Sequence, residues 1–421
     1  MKTLLPQERA ATYIYYNDIV VAVVEDGKAS IRKDGVERSN MPPQWGPHIL
    51  RLLENSLPEG ERRDVLLRFV AQQGERLSNP IELTPYVADL PGRFSAGHSA
   101  ILSENGDSTR RFIPLPDIIP QTVIESRLSP DFFDPLSELR ANEPPSFSGY
   151  QDKFTANLRM DGDKLLLEPV NQKVERGNVI VKPAHLKYPF IAENELLCME
   201  LAGKTGLPAP RVFLFRQPDI PFPRQHLVVE RFDIRASGAQ NARLNITEFA
   251  PLMGLLSEQK YDATTETLFS FAEKNLSKED MKLLAKVYLF GYAVGNGDMH
   301  AKNFSIMIEN NIPRLTPVYD MVNTAVYGIS DTLALKLTND SRPATASVVS
   351  FLRKYLALDE METVAGAIKE NLAACSKEAF RQTDSANGHK FKDTLEQSIS
   401  GGSGKIFKAT KRIRNYEKNL P

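Results

Sequence analysis

GNGDMHAKNFSIMI, at residues 295–308, constrains the architecture more than any other segment of the chain. The preceding residues, LLAKVYLFGYAV at 283–294, predict a helix, and the closing FSIMI at 304–308 predicts a strand. The glycine-asparagine-glycine run predicts the end of the helix, which places DMHAKN, residues 298–303, in a loop. An acid, a histidine, a lysine and an amide within this short loop suit either a catalytic loop or a polar turn.

Asp298 and Asn303 have the spacing of a phosphotransfer loop. In protein kinases, a loop aspartate at this interval orients the attacking hydroxyl or accepts its proton, and the asparagine helps to hold Mg²⁺. A second acid, Asp320, follows in LTPVYDMVNT at 315–324, where a strand is predicted to end. Kinases place a further metal-binding aspartate at about this distance along the chain. An acid at the end of a strand is individually unremarkable.

A predicted hairpin lies upstream of these acids. FTANLRM at 154–160 and KLLLEPV at 164–170 have strand composition and flank an Asp-Gly turn. SFSGYQDKF at 146–154 opens the hairpin, and its glycine would let backbone amides approach a phosphate closely. A plain turn before a strand has the same composition, so this segment alone does not decide between the two interpretations.

Lys182 closes a further predicted strand, NVIVKPA at 178–184. A lysine at this position could extend to solvent or hold nucleotide phosphates, as the strand lysine of protein kinases does. The next predicted helix, ENELLCMELAGK at 193–204, begins with Glu193 and Glu195. Either glutamate could be the acidic partner of the lysine, although the helix dipole also favours acids at a helix start.

The order of these elements favours function over coincidence. A glycine turn, a strand lysine, a helix glutamate, a loop Asp-x₄-Asn and a strand-end aspartate follow one another as phosphoryl transfer requires. We therefore predict a kinase-like ATP site. ISGGSGKI at 399–406 resembles a P-loop but has isoleucine at both ends, where that motif needs glycine and serine or threonine. It is interpreted as a flexible turn before a basic C-terminal segment.

The composition is that of an ordinary globular protein. Charged residues make up 25% and the formal net charge is −1, so no global attraction to nucleic acid or membrane is indicated. Cys198 and Cys375 are widely separated, which excludes a disulfide framework and favours a reducing compartment. The N-terminus lacks a signal-peptide core, and the longest apolar run, IVVAVV at 19–24, has the length of a strand. We expect a soluble, cytoplasmic protein without membrane association.

Composition also divides the chain along its length. Residues 12–32 predict two strands, and residues 48–74 predict a helical segment. The proline-rich stretch 114–145 predicts a linker or domain edge. A β-rich lobe with one central helix then precedes a mostly helical lobe that starts near residue 245. The predicted fold is α+β, two-lobed and protein-kinase-like, with an N-terminal α/β subdomain.

The sequence resembles the HipA family, the serine/threonine kinase toxins of bacterial toxin–antitoxin pairs. GNGDMHAKNFSIMI is similar to the family's catalytic loop, whose D-x-H-A-K-N-F-S signature is highly specific, and SFSGYQDKF resembles its glycine loop. Further matches, in chain order, are the N-terminal ILRLLENSLPEGERRDVLLR, the lysine strand IVKPA, the helix ENELLCMELAGKTGL, the hinge VVERFD and the metal-aspartate segment LTPVYD. Phe94 and Tyr150 depart from the family's usual residues. The implied domains are residues 1–110 (N-terminal subdomain), 111–235 (kinase N-lobe with a proline-rich entry segment) and 236–421 (helical C-lobe).

The resemblance implies a role for each matching residue. Asp298 would be the catalytic aspartate, supported by His300 and Lys302, and Asn303 and Asp320 would bind Mg²⁺. The residues implied to contact ATP or to shape its site are Ser148, Gly149, Tyr150, Gln151, Asp152, Lys153, Lys182 with its partner Glu195, Glu230 and Phe232 at the adenine hinge, His300, Asn303, Tyr319 and Asp320. Ser146 corresponds to the family's autophosphorylated serine, and Ser148 is a second candidate. A phosphate there would compete with the ATP phosphates and silence the kinase.

The implied function is that of an ATP- and Mg²⁺-dependent serine/threonine kinase toxin. A small DNA-binding, HipB-like antitoxin would neutralise it, and operator DNA would be contacted mainly through that antitoxin. An aminoacyl-tRNA synthetase is one candidate substrate, because family members target such enzymes. Two alternatives stay open: a non-catalytic co-repressor on operator DNA, motivated by the basic segment 405–418, and a kinase of a small-molecule or lipid acceptor. A solvated helix face is the other interpretation of that basic segment.

Overall fold

The structure is a computed structural model of the 421-residue chain. It describes residues 11–16, 19–25, 28–57, 63, 67, 70, 77, 79–86, 94–97, 115, 124–128, 153–162, 164–170, 177–185, 187–216, 225–237, 240–328, 333–383 and 385–419. The predicted glycine loop up to Asp152 lies outside the described residues, as does most of the proline-rich stretch.

An antiparallel four-stranded sheet lies at the start of the chain. Its strands, in the order β3-β2-β1-β4, are β1 (Thr12–Tyr16), β2 (Ile19–Glu25), β3 (Lys28–Ile31) and β4 (Phe94–Gly97). Of the two strands predicted over residues 12–32, the second is confirmed as β3, which pairs with β2. The first is wrong as a single strand, because the run TYIYYNDIVVAVV forms two paired strands, β1 and β2. The run contains Asn17 and Asp18, residue types that favour turns, and this signal in the sequence was missed because β-prone residues lie on either side of it.

The described part of the N-terminal region also contains two short α-helices, α1 (Lys33–Arg38) and α2 (Ile49–Asn55), and two 3-10 helices, Pro43–His48 and Pro80–Tyr86. Trp45, which precedes α2, is buried in the same core as Ile14 of β1. The helix α2 confirms the first part of the helical segment predicted at residues 48–74.

A six-stranded sheet forms the β-rich lobe. Its strands, in the order β5-β7-β6-β8-β10-β9, are β5 (Ile124–Ser126), β6 (Phe154–Asp161), β7 (Lys164–Glu168), β8 (Val179–Lys182), β9 (Val212–Arg216) and β10 (Gln225–Glu230). The β6–β7 pairing confirms the predicted hairpin. The proline-rich stretch, predicted as a linker, contributes β5, which pairs in parallel with β7 at the edge of the sheet. An edge position suits this stretch, because prolines near an edge strand remove no central hydrogen bonds.

The central helix of this lobe is α3 (Ile191–Lys204), which begins two residues before the predicted start at Glu193. It packs against β9 and β10 on one side and against the helical lobe on the other. Leu197, Cys198 and Leu201 are among its fully buried side chains. The helix therefore shares one apolar core with the second lobe.

The second lobe combines helices with small sheets. Its elements are β11 (Ile234–Ser237), β12 (Gln240–Arg243), β13 (Asn245–Glu248), α4 (Phe249–Leu252), α5 (Thr265–Asn275), α6 (Lys278–Val294), β14 (Ser305–Glu309), β15 (Ile312–Leu315), α7 (Thr345–Leu352), α8 (Leu358–Ala379) and α9 (Ala386–Lys418). Strands β13, β14 and β15 form an antiparallel sheet in that order. Because β14 starts just after the DMHAKN loop, this sheet anchors the loop's end.

Helix α6 delivers the chain to that loop. Ser277 caps its start by accepting a hydrogen bond from the Asp280 backbone N–H at 3.1 Å. The predicted helix is confirmed, and it buries one apolar face that includes Leu284 and Tyr288. Gly295 ends the helix with φ +76°, a left-handed conformation that glycine adopts at no steric cost. The predicted helix end and the loop position of Asp298 are therefore confirmed.

Helix α9 corrects one prediction. ISGGSGKI, interpreted as a flexible turn, lies inside this single helix. Glycines disfavour a helix interior, but here tertiary packing prevails. A Cβ at Gly402 would lie 2.0 Å from the carbonyl oxygen of Ala293 in α6, so glycine is what allows the two helices to approach. The basic residues that follow, such as Lys405 and Lys408, are exposed on this helix, as the solvated-face interpretation expects.

The two lobes share their largest core, in which apolar side chains of α3 lie among those of α5, α6, α8 and α9. Cys198 and Cys375 are both buried, and each is a free thiol. Within the described ranges, every helix falls short of the length and apolar character needed to cross a bilayer.

Candidate active site

Lys182, Glu195 and Asp320 form a charge cluster between the lobes, in which Lys182 and Glu195 are buried and the Asp320 side chain is 37% exposed. Lys182 Nζ donates to Glu195 Oε1 at 2.5 Å and also to Asp320 Oδ1. Lys182 and Glu195 are only 5% and 4% exposed. The alternation of β8 explains this geometry, because Val179 and Val181 pack into the sheet core and Lys182 projects from the opposite face, where α3 lies.

The charges in this cluster stabilise one another. Burial alone would lower the pKa of Lys182, but the carboxylates of Asp320 and Glu195 outweigh it and raise that pKa. Burial would likewise raise the pKa of Asp320, yet Lys182 holds it well below its usual range. Burial raises the pKa of Glu195, and Lys182 opposes that rise. Lys182 therefore stays cationic and Asp320 stays ionised at neutral pH.

Asp320 lies in a loop and not at the end of a strand. The strand β15 ends at Leu315, so the predicted strand end at Asp320 is wrong. Asp320 adopts φ +54°, a left-handed conformation that a non-glycine residue keeps only where its surroundings hold it. That conformation turns the chain and points the carboxylate at Lys182.

An asparagine pair holds this loop against α3. The side-chain amide of Asn194 donates to the Asn323 carbonyl oxygen at 2.9 Å, and its carbonyl oxygen accepts from the Asn323 N–H at 2.9 Å. The Asn323 side chain in turn donates to Ser398 Oγ of α9 at 2.8 Å. The loop that carries Asp320 is thereby tied to the helix that carries Glu195.

Asn296 links the two candidate catalytic aspartates. It is buried, and its Oδ1 accepts from the Asp298 backbone N–H at 3.0 Å. Its Nδ2 donates to the Asp320 carbonyl oxygen at 3.5 Å. The Asp298 carboxylate accepts a hydrogen bond from the Tyr261 hydroxyl at 2.7 Å. His300 packs edge to face against Tyr261, with ring centroids 5.1 Å apart.

The rest of the DMHAKN loop faces the protein interior. Lys302 Nζ donates to the Asn55 carbonyl oxygen at 3.0 Å and to Ser257 Oγ at 2.8 Å, and lies 3.8 Å from a Glu248 carboxylate oxygen. Asn303 is half-buried, and its backbone N–H donates to the His300 carbonyl oxygen at 2.9 Å. Lys302 therefore fastens the loop, whereas Asn303 remains partly accessible.

Tyr319 and the proposed hinge lie side by side. The Tyr319 hydroxyl donates to the Lys302 carbonyl oxygen at 2.9 Å, and its ring stacks on Phe232 with centroids 6.0 Å apart. Glu230, which ends β10, forms a two-point ion pair with Arg211 through distances of 2.7 and 2.8 Å. Phe232 thus contacts the segment that carries Asp320, whereas Glu230 pairs with Arg211.

Lys153 is the described end of the predicted glycine loop. Burial lowers its pKa, Asp320 and Glu248 oppose that effect, and Lys182 and Lys302 add to it. Lys153 therefore belongs electrostatically to the same cluster. The other predicted loop residues lie outside the described residues; these are Ser146, Ser148, Gly149, Tyr150, Gln151 and Asp152.

Comparison with known proteins identifies the family. The sequence profile of the HipA-like C-terminal domain matches residues 145–386, more than half of the chain. This chain belongs to the HipA family. The matched region contains every candidate site residue that the structure describes.

Two curated relatives illustrate the similarity within the HipA family. The chain is 30% identical over 200 residues to "Putative kinase Y4mE" of Sinorhizobium fredii, across 46% of each protein. It is 29% identical over 180 residues to "Serine/threonine-protein kinase toxin HipA" of Shewanella oneidensis, across 37% of this chain and 40% of that protein. The chain thus spans about half the length of the curated relatives that it matches.

A solved structure has the same fold. A chain in the complex of HipA, HipB and operator DNA from Shewanella oneidensis MR-1 superposes with a TM-score of 0.69 and covers 96% of this chain and 99% of that one. Their sequence identity is 19%, so the likeness concerns the fold. The predicted fold is confirmed: this HipA-family chain has a two-lobed, kinase-like α+β fold with an N-terminal α/β subdomain.

Several residues of this HipA-family site escaped the sequence reasoning. Asn194 and Asn296 could have been identified from the sequence, because each lies within or just after a predicted apolar helix. An asparagine at such a position is expected to be buried, as both are, and a buried asparagine requires hydrogen-bond partners. Asn323 and Tyr261 had none, since their contacts join segments far apart in sequence. The choice between Glu193 and Glu195 was open in the sequence, and the structure pairs Lys182 with Glu195.

Proposed function

We propose that this protein is an ATP- and Mg²⁺-dependent serine/threonine protein kinase, the toxin of a bacterial toxin–antitoxin pair. The observation that carries the proposal is the Lys182–Glu195–Asp320 cluster beside the Asp298–Asn303 loop. Protein kinases use a lysine held by a helix glutamate to bind nucleotide phosphates, and an aspartate to hold metal. Burying a lysine with two carboxylate partners carries a desolvation cost. Charge clusters of this kind occur preferentially at functional sites.

The side chains of this site suit both Mg²⁺ and the phosphates of ATP. Asp320 offers carboxylate oxygens and Asn303 an amide oxygen, the hard donors that Mg²⁺ prefers when phosphates complete its shell. When bound, Mg²⁺ would neutralise charge on the nucleotide phosphates. Lys182 would contact those phosphates while Glu195 retains it, and Lys153 would add a second positive charge at the same side of the cluster.

Asp298 would act on the acceptor. Its carboxylate accepts a hydroxyl hydrogen bond in the present structure, which is the interaction that an acceptor serine or threonine would make. Asn296 orients Asp298 through the backbone, and Lys302 holds the loop in place. Glu230 and Phe232 would flank the adenine, and Tyr319 would support the metal segment through Phe232.

Regulation would follow from the glycine loop. We propose autophosphorylation at Ser146, with Ser148 as a second acceptor. A phosphate so close to the ATP phosphates would repel them and silence the kinase. This loop would precede Lys153, whose charge the cluster of Asp320 and Glu248 partly compensates.

The proposed partner is a small, HipB-like DNA-binding antitoxin, and operator DNA would be reached mainly through it. The likeness to a HipA in complex with HipB and operator DNA supports this partner. An aminoacyl-tRNA synthetase is the proposed substrate class, on the family resemblance alone. We also propose domain boundaries at 1–110, 111–235 and 236–421, between which the two larger sheets and the helical lobe are divided.

Radiolabelled ATP provides the test. Asp298→Asn should abolish autophosphorylation while retaining nucleotide, because Asp298 acts on the acceptor and not on ATP. Lys182→Met should lose both labelling and millimolar ATP–Mg²⁺ binding. Asp393→Asn, an exposed substitution of the same kind on α9, serves as the control and should label normally. Undiminished labelling of Asp298→Asn would sink the assignment of that residue.

A further inference from the structure

Tyr261 places its hydroxyl on the carboxylate that would act on the acceptor. The hydroxyl donates to Asp298 Oδ1 at 2.7 Å, and the ring lies against His300. Tyr261 is nevertheless 47% exposed, one of the more exposed large apolar side chains in the described part of the molecule. A half-exposed phenol is thus seated at the mouth of the candidate active site.

The position of Tyr261 is set by its backbone. The Ala301 N–H of the catalytic loop donates to the Lys260 carbonyl oxygen at 3.2 Å, and the Asp262 N–H donates to the Gln259 carbonyl oxygen at 2.9 Å. The first bond joins the residue before Tyr261 to the loop, and the second closes a turn around Tyr261. The His300 ring and Lys260 Nζ, 5.5 Å from the ring centroid, both lie against the Tyr261 ring. About half of the side chain is exposed, so it can rotate towards solvent while its backbone stays in place.

The hydrogen bond has a direct consequence for catalysis. An acceptor hydroxyl must come within hydrogen-bond distance of the Asp298 carboxylate before it can lose its proton. The Tyr261 hydroxyl already uses one of those oxygens, and because Tyr261 is half-exposed, a protein acceptor that approaches from solvent can meet it there. Acceptor and tyrosine therefore compete for the same atom.

We propose that Tyr261 is a gate over the acceptor site. Its hydroxyl occupies the position that a serine or threonine hydroxyl takes on Asp298, and it moves aside when a polypeptide acceptor enters. Until then it occupies the Asp298 oxygen that a water molecule would otherwise use, and so suppresses futile ATP hydrolysis. Tyr261 is thus a specificity-determining residue that favours acceptors able to displace a phenol. This inference rests on the proposed kinase function.

The chain offers a matched control for this gate. Tyr355 donates to Glu273 Oε1 at 2.8 Å, so it makes the same phenol-to-carboxylate bond, but between α5 and the residues after α7. Tyr261→Phe and Tyr355→Phe therefore remove equivalent hydroxyls, one at the candidate site and one away from it. Both keep the aromatic ring, so neither should disturb the fold beyond the loss of one hydrogen bond.

The test measures phosphate release from ATP without an acceptor, and phosphorylation of myelin basic protein over a range of concentrations. Tyr261→Phe should lower the KM for myelin basic protein by up to about tenfold, the equivalent of one charge-assisted hydrogen bond. It should also raise acceptor-free ATP hydrolysis several-fold, while the affinity for a fluorescent ATP analogue stays unchanged. Tyr355→Phe should match the wild type in every assay.

Other outcomes would overturn the gate. If Tyr261→Phe lowers kcat with no change in KM, the hydroxyl positions Asp298 and does not exclude the acceptor. If it behaves as Tyr355→Phe does, the bond is incidental. Either result would leave the kinase proposal standing. In that case Asp298→Asn would lose the kinase activity, whereas Tyr261→Phe and Tyr355→Phe would retain it. Absence of ATP-dependent labelling in the wild type would overturn the kinase proposal and the gate together.

Discussion

Glu193 and Glu195 lie two residues apart in α3, yet their surroundings give them different electrostatic properties. Glu195 meets the charge of Lys182. Glu193 is equally buried, at 4% exposed, and burial raises its pKa to about 7, against the weaker opposing effects of its own backbone N–H, Arg216 and Thr383. The carboxyl group of Glu193, in the first turn of the helix that carries Glu195, therefore changes charge near physiological pH.

We predict that Glu193→Gln stabilises the protein above neutral pH. The folded state binds the Glu193 proton more tightly than the unfolded state, in which the pKa is about 4.3. The favourable contribution is therefore complete below about pH 4 and is lost as pH rises through the folded pKa of about 7. Glutamine stays neutral, so the variant should gain about 1–3 kcal/mol of unfolding free energy at pH 8 and little at pH 5.

Urea denaturation at the two pH values measures this difference. Glu370→Gln, at an exposed position on α8, is the control and should show no such change between the two pH values. A Glu193→Gln variant whose stability follows the wild type at both pH values would show that Glu193 is already ionised without cost.

Among the helices, α9 shows how one glycine differs from its neighbour. Gly402 lies against the α6 backbone, where an added Cβ would meet the Ala293 carbonyl oxygen at 2.0 Å. Gly404, one half-turn further on, has open space at the same position. The first glycine is required by packing, and the second only adds flexibility to the unfolded chain.

Alanine substitutions should therefore act in opposite directions. Gly402→Ala should destabilise the protein by about 1–3 kcal/mol, because the α6 backbone cannot yield without disturbing the core. Gly404→Ala should stabilise it by about 0.5–1 kcal/mol through helix propensity. Thermal unfolding of the two variants beside the wild type measures both effects. Equal shifts of the same sign would mean that α9 does not pack closely on α6.

The elements of this fold differ in how far sequence predicts them. Local signals were sufficient for α6, because its serine cap, Ser277, and its terminal Gly295 lie directly next to the helix in the sequence. They were insufficient for α9, where packing overrides the propensity of the three glycines in ISGGSGKI. They also missed the loop around Asp320, because its left-handed turn is held by Asn194 from a helix more than a hundred residues away. Contacts between distant segments carry no local signature.

At the scale of the molecule, the catalytic loop is fastened to the N-terminal region. Lys302 donates to the Asn55 carbonyl oxygen at the end of α2, and the Asn55 side chain donates to the Leu255 carbonyl oxygen at 3.0 Å. Tyr16 of β1 also donates to Asn245 of β13. The N-terminal region therefore braces the sheet and loop on which Asp298 depends, and its loss would reach the candidate site.

We predict that Lys302→Met loosens this attachment. The methionine fills the space but donates no hydrogen bond, so the Asn55 carbonyl loses a buried donor and Glu248 loses its nearby cation. The expected cost is about 2–4 kcal/mol of unfolding free energy. Because Lys302 bonds directly to the end of α2, amide protons of α2 should exchange faster in this variant than a uniform loss of stability would produce.

Hydrogen exchange followed by mass spectrometry separates the two cases. Lys369→Met, at an exposed position on α8, is the control and should leave exchange in α2 as it is in the wild type. A uniform increase across α2, α6 and α8 in Lys302→Met would indicate general destabilisation. An increase concentrated in α2 and the 298–303 loop would show that Lys302 couples the N-terminal region to the catalytic loop. A partner that binds the N-terminal region would then have a physical route to Asp298.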